Sequence, residues 1–199
     1  MKEKYYDELL NIKTEGEQVG FNESLHYHRY EPTPYAALEI LFKQYELKST
    51  DRIVDFGCGK GRLNFYIHYL FNASVIGIEM NETFYLEAIQ NKKLYVKKDD
   101  EKIQFYHCFA ENYEIQPLDN HFYFFNPFSI QIFMKIIKNI LVSVETARRE
   151  IEIVLYYVSD EYIYFLEYQT AFELKKEMII PGLYERNQNE RFLIYHLVY

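Results

Sequence analysis

The sequence predicts an α/β protein built on a mainly parallel sheet, and three observations lead to this fold class. Short, almost continuously apolar segments alternate with longer segments whose apolar residues recur at helical spacing. Strands that are apolar throughout are typical of parallel sheets with helices on both faces. Glycine is scarce, yet three of the seven glycines, Gly57, Gly59 and Gly61, stand between one such strand and the next helix.

The predicted elements follow one another in a regular order. A short amphipathic helix over 2–12 is followed by a polar, irregular segment over 13–31. Pro34 suits the first turn of a second helix, with Thr33 as its N-cap. The strands that follow are predicted at 52–56, 74–79, 103–108, 122–125, 151–158, 172–180 and 191–198. The helices among them are predicted at 60–71, 83–97, 129–146 and 160–168.

Length and composition narrow the class of protein. The chain has 199 residues, which fits a single domain over 1–199, with 1–33 as an N-terminal helix and lid segment. Aromatic residues make up 19% of the chain, a share that excludes an intrinsically disordered protein. No apolar run approaches the roughly 18 residues of a membrane span, and the first residues lack the apolar core of a secretory signal.

Charge and cysteine content set expectations for location and partners. The net charge of −8 argues against broad nucleic-acid binding, which requires a basic face. Two cysteines, Cys58 and Cys108, are too few for a disulfide framework or a zinc cluster, so we expect a cytoplasmic protein. His26 and His28 have no Asp or Cys arranged beside them, and we predict an ordinary loop there rather than a metal site.

The glycine-rich segment admits three interpretations, of which two fail on single residues. A phosphate-binding P-loop needs Lys followed by Ser or Thr, but Lys60 is followed by Gly61. A G-x-G-x-x-G dinucleotide fingerprint needs glycine at the position of Arg62. The pattern that remains is an acidic residue, Asp55, shortly before G-x-G-x-G. A second acidic residue, Glu79, closes the next apolar strand about 20 residues later, where a carboxylate can bind both hydroxyls of a ribose.

This combination resembles the class I S-adenosylmethionine (SAM)-dependent methyltransferases. The resemblance extends from about residue 33 to the end, with the specific motifs between Asp55 and Phe128. It implies a Rossmann-like three-layer sandwich, with a mainly parallel seven-stranded sheet and an antiparallel C-terminal strand. It also implies SAM as cofactor and a ligand site outside the carboxyl ends of the strands.

The resemblance implies a role for each residue of the cofactor site. The three loop glycines would let the backbone pass close to the cofactor, and Cys58 would contribute backbone contact or only fill the loop. Asp55 would face the aminoacyl end, Glu79 would hold the ribose, and Met80 would pack on the adenine. Thr33 belongs, with Tyr30 and Glu31, to the segment that would cover the cofactor.

The sequence departs from the family pattern after the third predicted strand. Phe109 stands where the family often has an acidic residue that meets the adenine amino group. Either Glu111 replaces that residue, or backbone groups and stacking hold the adenine. His107, just before, is expected to be a buried strand residue rather than a base.

The end of the fourth strand carries the predicted acceptor site. Asn126-Pro127-Phe128 resembles the [Asp/Asn]-Pro-Pro-aromatic motif of amino-group methyltransferases, but the second proline is missing and the aromatic residue comes one position early. The resemblance implies that Asn126 accepts hydrogen bonds from a target amino group and that Phe128 stacks on it. The alternative is a strand end capped by Asn126, with Pro127 opening the next helix. Tyr30 and Tyr35 are predicted to bind the substrate.

We therefore predict a SAM-dependent methyltransferase acting on an acceptor that could be an amino group of a protein or a small molecule. Nucleic acid and membrane partners are not expected. Two alternatives stay open: a SAM-binding protein of the same fold without activity, and an NAD-type oxidoreductase, against which the missing glycine at Arg62 argues.

Overall fold

The computed structural model describes residues 2–16, 31–97 and 101–197. Within these ranges the helices are α1 (Lys2–Leu10), α2 (Tyr35–Phe42), α3 (Arg62–Phe71), α4 (Glu82–Leu94), α5 (Ile130–Thr146) and α6 (Asp160–Gln169). The strands are β1 (Arg52–Phe56), β2 (Ser74–Glu79), β3 (Ile103–His107), β4 (His121–Phe124), β5 (Ile151–Tyr156), β6 (Glu173–Ile179) and β7 (Arg191–Leu197).

All of these strands join one sheet in the order β3-β2-β1-β4-β5-β7-β6. Strands β1 to β5 pair in parallel, and β7 lies antiparallel between β5 and β6. The predicted mainly parallel seven-stranded sheet with an antiparallel C-terminal strand is confirmed. The strand order reverses between β1 and β4, so a crevice for a ligand is expected at the carboxyl ends of these strands.

Two apolar layers cover the two faces of the sheet. Side chains of α1 to α4, such as Leu38 and Ile67, pack with the strands on one face. The other face is covered by α5 and α6, through residues such as Phe133, Ile136 and Leu166. Because both faces are covered, the central strands are buried along nearly their whole length, as their continuous apolar runs predicted.

The structure corrects three local expectations. Pro34 rather than Thr33 occupies the N-cap position of α2, since the Thr33 hydroxyl hydrogen-bonds the Tyr123 hydroxyl at 2.8 Å. His107 is exposed, because β3 is an edge strand whose last two residues face solvent. A short 3-10 turn over Ala110–Asn112, which the sequence pattern did not predict, follows β3.

The start of α4 is set by a side-chain cap. Asn81 accepts a hydrogen bond from the backbone N–H of Phe84 at 3.2 Å through its side-chain oxygen. This bond satisfies one of the free donors of the first helical turn. The helix therefore begins directly after the last residues of β2, at the ligand edge of the sheet.

Candidate cofactor and acceptor site

A cleft opens at the carboxyl ends of β1, β2 and β4. It has the position expected for a ligand in a sheet whose strand order reverses between β1 and β4. Its walls come from the glycine loop, from the ends of β2 and β3, from the segment after β4 and from the residues before α2. The lining residues include Glu31, Thr33, Asp55, Gly57, Cys58, Arg62, Glu79, Met80, Phe84, Cys108, Ala110, Tyr123, Phe125, Pro127 and Phe128.

The glycine loop turns sharply from β1 into α3. Gly57 has a φ of +81° and Gly59 a φ of +55°, both in the left-handed region that glycine adopts without strain. The backbone N–H groups of Gly57 and Cys58 donate to the Ile78 carbonyl at 2.9 and 3.1 Å. A Cβ on Gly57 would lie 3.0 Å from the Cβ of Pro127, so this glycine allows the loop to approach the segment after β4.

Gly61 is restricted by the packing beneath the loop. It does not line the cleft, and a Cβ at this position would lie 2.7 Å from the Phe105 ring and 2.9 Å from the Phe65 ring. Gly61 therefore lets the start of α3 pack against the aromatic residues under the loop. Gly77, on β2, is restricted in the same way, because a Cβ there would lie 2.5 Å from the Phe105 ring and 2.6 Å from the Cys58 sulfur.

The Glu79 carboxylate accepts hydrogen bonds from two separate parts of the backbone. One oxygen accepts the Gly59 N–H at 2.8 Å, and the other accepts the Asn81 N–H at 2.7 Å. Burial raises the pKa of Glu79, and these backbone hydrogen bonds oppose the shift. The Met80 backbone N–H also contributes, and because a carboxylate offers about four acceptor positions, Glu79 retains acceptor capacity at the cleft.

Asp55 is the second acidic group of the cleft, and its surroundings are different. It is 5% exposed, and burial together with the charge of Glu79 raises its pKa well above the usual value. No hydrogen bond from the described residues contributes to its pKa. A buried carboxylate without a donor is costly, so this group fits a cationic or hydrogen-bonding ligand.

The side of the cleft beyond β2 is mainly apolar. Met80 and Phe84 line it, together with Cys108 and Ala110 from the segment after β3. Glu111 is not among the lining residues; its backbone carbonyl accepts a hydrogen bond from Asn139 at 3.0 Å. Of the two adenine-binding modes left open by the sequence, the arrangement favours contact with apolar side chains and backbone.

The opposite wall is formed by the segment after β4. Phe125, Pro127 and Phe128 line the cleft there, and the Tyr162 hydroxyl donates to the Phe128 carbonyl at 2.7 Å. Asn126 lies between lining residues without being one of them, and its φ of +38° is unusual for a residue other than glycine. Backbone strain of this kind is enriched at functional sites.

The residues before α2 are divided between the cleft and the core. Thr33 lines the cleft, as predicted, and its hydroxyl bonds to Tyr123. Tyr35 does not reach the cleft: its ring is fully buried, and its hydroxyl donates to Asp7 at 2.9 Å. Tyr30, the other predicted substrate-binding residue, lies outside the described residues, as do Tyr27, His26 and His28.

Several lining residues carried no signal in the sequence. Tyr123 and Phe84 have the pattern of ordinary apolar positions in a strand and a helix, and Arg62 was noted only because it replaces a glycine. The register of the sheet could have indicated Tyr123, since it pairs with Asp55 across β1 and β4. Arg62 and Phe84 reach the cleft through packing between elements distant in sequence, which the pattern does not reveal.

Metal binding, membrane spans and disulfides are the remaining features of the described ranges. In them, no group of three or more His, Cys, Asp or Glu side chains is arranged to hold a metal ion. No helix among the described elements has the length and apolar character needed to cross a membrane. Both Cys58 and Cys108 are free cysteines.

Comparison with known proteins gives matches in structure. No family model and no curated protein matches the sequence. An RNA methyltransferase from Salinibacter ruber in complex with S-adenosyl-L-homocysteine has a TM-score of 0.59 and 14% identity, covering 83% of this chain and 92% of that one. A proposed RNA methyltransferase from Pyrococcus horikoshii has a TM-score of 0.61 and 15% identity, covering 100% and 99%. The protein segment StiE O-MT has a TM-score of 0.58 and 10% identity, covering 81% and 72%.

The chain has the class I SAM-dependent methyltransferase fold. The similarity to methyltransferases spans the whole sheet and, for the Pyrococcus horikoshii protein, the full length of both chains. Within this methyltransferase fold, the cleft described above lies at the reversal point of the strand order.

Proposed function

We propose that this chain is a SAM-dependent methyltransferase, with residues 1–199 as one catalytic domain. The proposal rests on two buried acidic residues, Asp55 and Glu79, which face one cleft from the ends of neighbouring strands with a glycine loop between them. The Salinibacter ruber protein of the same fold was solved with S-adenosyl-L-homocysteine (SAH), the demethylated form of SAM.

The residues of the cleft suit the chemical groups of this cofactor. Asp55 lacks a hydrogen-bond donor among the described residues, and an ammonium group would supply one. Glu79 keeps acceptor capacity beyond its backbone hydrogen bonds, which suits the ribose hydroxyls. Met80 and Phe84 offer apolar contact to a flat base. In the proposed site, Gly57, Cys58 and Gly59 contribute the backbone of the loop, and Thr33 contributes part of the wall.

When bound, SAM supplies an electrophilic methyl group on a sulfonium centre. The residues of the chain would then have to position the acceptor and exclude water, since methyl transfer gains mainly from orientation. Asn126 and Phe128 are the proposed acceptor residues. The Asn126 carboxamide would accept a hydrogen bond from an amino group and thereby orient its lone pair, while Phe128 would provide an apolar contact surface.

An amino group is the acceptor that we propose, on a protein side chain or a small molecule. Among the described residues, Glu31, Asp55 and Glu79 line the cleft as acids, and the one lining base, Arg62, is paired with Glu3. Such a lining favours an amine over a phosphate-bearing acceptor. RNA is the competing acceptor, because two proteins of the same fold are named as RNA methyltransferases.

A cytoplasmic location belongs to the same proposal. It rests on the free cysteines Cys58 and Cys108, because a reducing compartment keeps such residues as thiols.

Ligand binding is the first test of this function. SAH, SAM and NADH are titrated separately into the full-length protein, with calorimetry and thermal unfolding as readouts. We expect SAH and SAM to bind and to raise the melting temperature, and NADH to have no effect. The absence of any response to SAH at millimolar concentration would falsify the proposal, and binding of NADH alone would support an oxidoreductase.

Methyl transfer is the second test. Protein that binds SAM is incubated with methyl-labelled SAM and, in separate reactions, a panel of small amines, lysine-containing peptides and total RNA. Transfer to an amine or peptide supports the proposed acceptor class. Transfer to RNA alone overturns it, and the absence of transfer to every acceptor favours the inactive SAM-binding alternative.

A further inference from the structure

Arg62 is a buried charged residue that belongs to the wall of the cleft. It is the first residue of α3, directly after Gly61, and its side chain is 5% exposed. The guanidinium lies over the Tyr35 ring, 4.6 Å from the ring centroid. Arg62 and its neighbour Leu63 both line the cleft, so the N-terminus of α3 lies at the cleft as well.

The hydrogen bonds of Arg62 leave one nitrogen without an acceptor. A guanidinium has five N–H donors: one on Nε and two on each Nη. Nε donates to the Thr14 hydroxyl at 2.8 Å, while Nη1 donates to the Glu3 carboxylate and, at 3.3 Å, to the Thr33 carbonyl. Among the described residues nothing accepts a hydrogen bond from Nη2. Two donors thus remain on a group that is more than nine-tenths buried.

Nη2 is not among the buried side-chain atoms of the described residues that lack a partner, so it keeps solvent access, and Arg62 lines the cleft. A charged donor with no protein acceptor is satisfied by water or by a ligand, because leaving it without either is destabilising. The other three donors of Arg62 are satisfied on the side that faces α1 and the residues before α2, so the fold satisfies this group everywhere except toward the cleft. An acceptor group of a ligand in the cleft would complete the set.

Charge defines the chemical class of that ligand group. Within the described residues, Asp55 of the cleft lining has no hydrogen-bond donor, and Arg62 has no acceptor for Nη2. An α-amino acid carries an ammonium and a carboxylate on one carbon, which would satisfy one residue each. The positive end of the α3 dipole adds to the attraction for a carboxylate.

We propose that Arg62 binds the α-carboxylate of the methionine portion of the cofactor through Nη2, while Asp55 binds the α-ammonium. This proposal rests on the proposed function, since it assumes SAM or SAH as the ligand. It assigns Arg62 a binding role in addition to its structural contacts with Glu3, Thr14 and Thr33.

The test compares two ligands that differ only in the carboxylate. SAH and decarboxylated SAH are titrated into the parent protein and into Arg62→Met and Arg62→Lys, with calorimetry as the readout. In the parent we expect SAH to bind about 10- to 100-fold more tightly than decarboxylated SAH, the range for a hydrogen bond to a charged group. In Arg62→Met we expect this preference to vanish, because SAH loses affinity and decarboxylated SAH does not.

Two variants separate binding from a structural role. Arg62→Lys keeps a positive charge at the position and is the variant to use if Arg62→Met does not fold. In Arg62→Lys we expect the preference for SAH over decarboxylated SAH to fall at least tenfold. Glu3→Gln is the matched control: it weakens the structural contact at Nη1, leaves Nη2 in place, and should preserve the preference for SAH. Circular dichroism and melting temperature identify folded variants.

The outcomes are distinct for the two proposals. If the parent does not bind SAH, the proposed function fails and this inference fails with it. If the parent binds SAH but shows no preference over decarboxylated SAH, only the assignment of Arg62 is wrong. An equal loss of affinity for both ligands in the Arg62 variants would show that Arg62 acts only by holding the wall of the cleft.

Discussion

Asp55 and Tyr123 occupy paired positions on the neighbouring strands β1 and β4 and line the same cleft. Their side chains project from the same face of the sheet, because paired residues of neighbouring strands share a face. Burial raises the pKa of Tyr123 well above its usual value, and the charge of Asp55 adds to this shift. Tyr123 therefore stays neutral, and Asp55 is the group whose charge state can change when a ligand binds.

Replacement of Asp55 by Asn is expected to stabilise the ligand-free protein. The raised pKa means that, between the unfolded and folded pKa values, the folded protein holds a proton that the unfolded chain releases. Stability then falls as pH rises through this window, by about 1.4 kcal/mol per pH unit, and Asn removes that loss. Urea unfolding of the parent and of Asp55→Asn at several pH values measures this difference in stability. A free energy of unfolding for Asp55→Asn below that of the parent at neutral pH would contradict the prediction.

Asp119 provides the matched control for Asp55→Asn. It is fully buried, but it accepts hydrogen bonds from Arg52 and Gln116 at 2.8 Å and from Tyr113 at 3.0 Å. Removal of one partner of a buried ion pair destabilises strongly, by about 3–5 kcal/mol. Asp119→Asn should therefore lower the free energy of unfolding where Asp55→Asn raises it.

The affinity for SAH is expected to rise with pH. The ammonium of SAH requires the ionised form of Asp55, whose pKa lies above its usual value, so binding is weak below the folded pKa and reaches a plateau above it. The affinity should change by up to about tenfold per pH unit in that window. Calorimetry from pH 5 to pH 9 measures the profile. Asp55→Asn should give weak, pH-independent binding, and an unchanged profile in that variant would assign the titration to another group.

Replacement of Glu79 by Gln is expected to weaken cofactor binding. The amide oxygen can satisfy only one of the two backbone N–H groups that Glu79 accepts, and an acceptor for the ribose is lost. We expect a loss of about 1.5–3 kcal/mol in the free energy of SAH binding. Glu82→Gln, an exposed neighbour in the first turn of α4, should bind SAH like the parent. Equal affinities in all three proteins would remove Glu79 from the site.

Replacement of Asn126 by Gly is expected to reduce turnover more than cofactor affinity. Glycine adopts the φ of +38° without strain, so this substitution removes the carboxamide while keeping the backbone. We expect kcat to fall about tenfold or more, and Kd for SAH to change by less than about twofold. Asn72, the C-cap residue of α3, has a φ of 54°, so Asn72→Gly controls for the effect of placing glycine at a left-handed backbone position. Parent-like kcat in Asn126→Gly would exclude an acceptor-orienting role.

Replacement of Asn64 by Leu is expected to stabilise the protein. Asn64 is fully buried in α3, and neither atom of its side-chain amide has a hydrogen-bond partner among the described residues. Leu has a similar volume and no polar group, so the free energy of unfolding should rise by about 1–3 kcal/mol. A decrease would instead indicate that Asn64 holds a buried water molecule.

Asn91 is the control for this substitution, because its amide is fully used. Its oxygen accepts the Lys13 N–H at 2.8 Å, and its nitrogen donates to the carbonyls of Lys13 and Lys60 at 3.0 Å each. Asn91→Leu should therefore lower the free energy of unfolding, since three backbone groups lose their partner.

The sequence could predict the ligand edge of the sheet but not every residue that reaches it. Strands β1 and β2 have the predicted bounds, and Asp55, Glu79 and the glycines between them follow from those bounds because parallel strands end at one edge. A periodic sequence pattern indicates which residues are buried, but it does not show whether a buried side chain packs in the core or lines a cleft. Tyr35, predicted to bind the substrate, instead packs against the Arg62 guanidinium and donates a hydrogen bond to Asp7.

Edge position and inter-element packing account for the other differences. His107 ends β3, which pairs with a neighbouring strand on one side only, and the local sequence pattern cannot show this edge position. The glycine spacing predicted three equivalent loop residues, whereas Gly61 is required by the rings of Phe65 and Phe105. Both outcomes depend on contacts between residues far apart in sequence.

The contacts of α1 bear on how the protein should be prepared in the laboratory. Trimming an N-terminal segment is a common step before crystallisation, and a chain shortened to begin after residue 30 would keep every described strand. It would also lose Glu3 and Thr14, two of the acceptors of Arg62, and Asp7, the acceptor of the Tyr35 hydroxyl. The Arg62 guanidinium would then lack these two acceptors, and the core residues that pack against Leu10 and Ile12 would be exposed. Affinity tags are therefore better placed at the C-terminus, and residues 2–14 are better left intact.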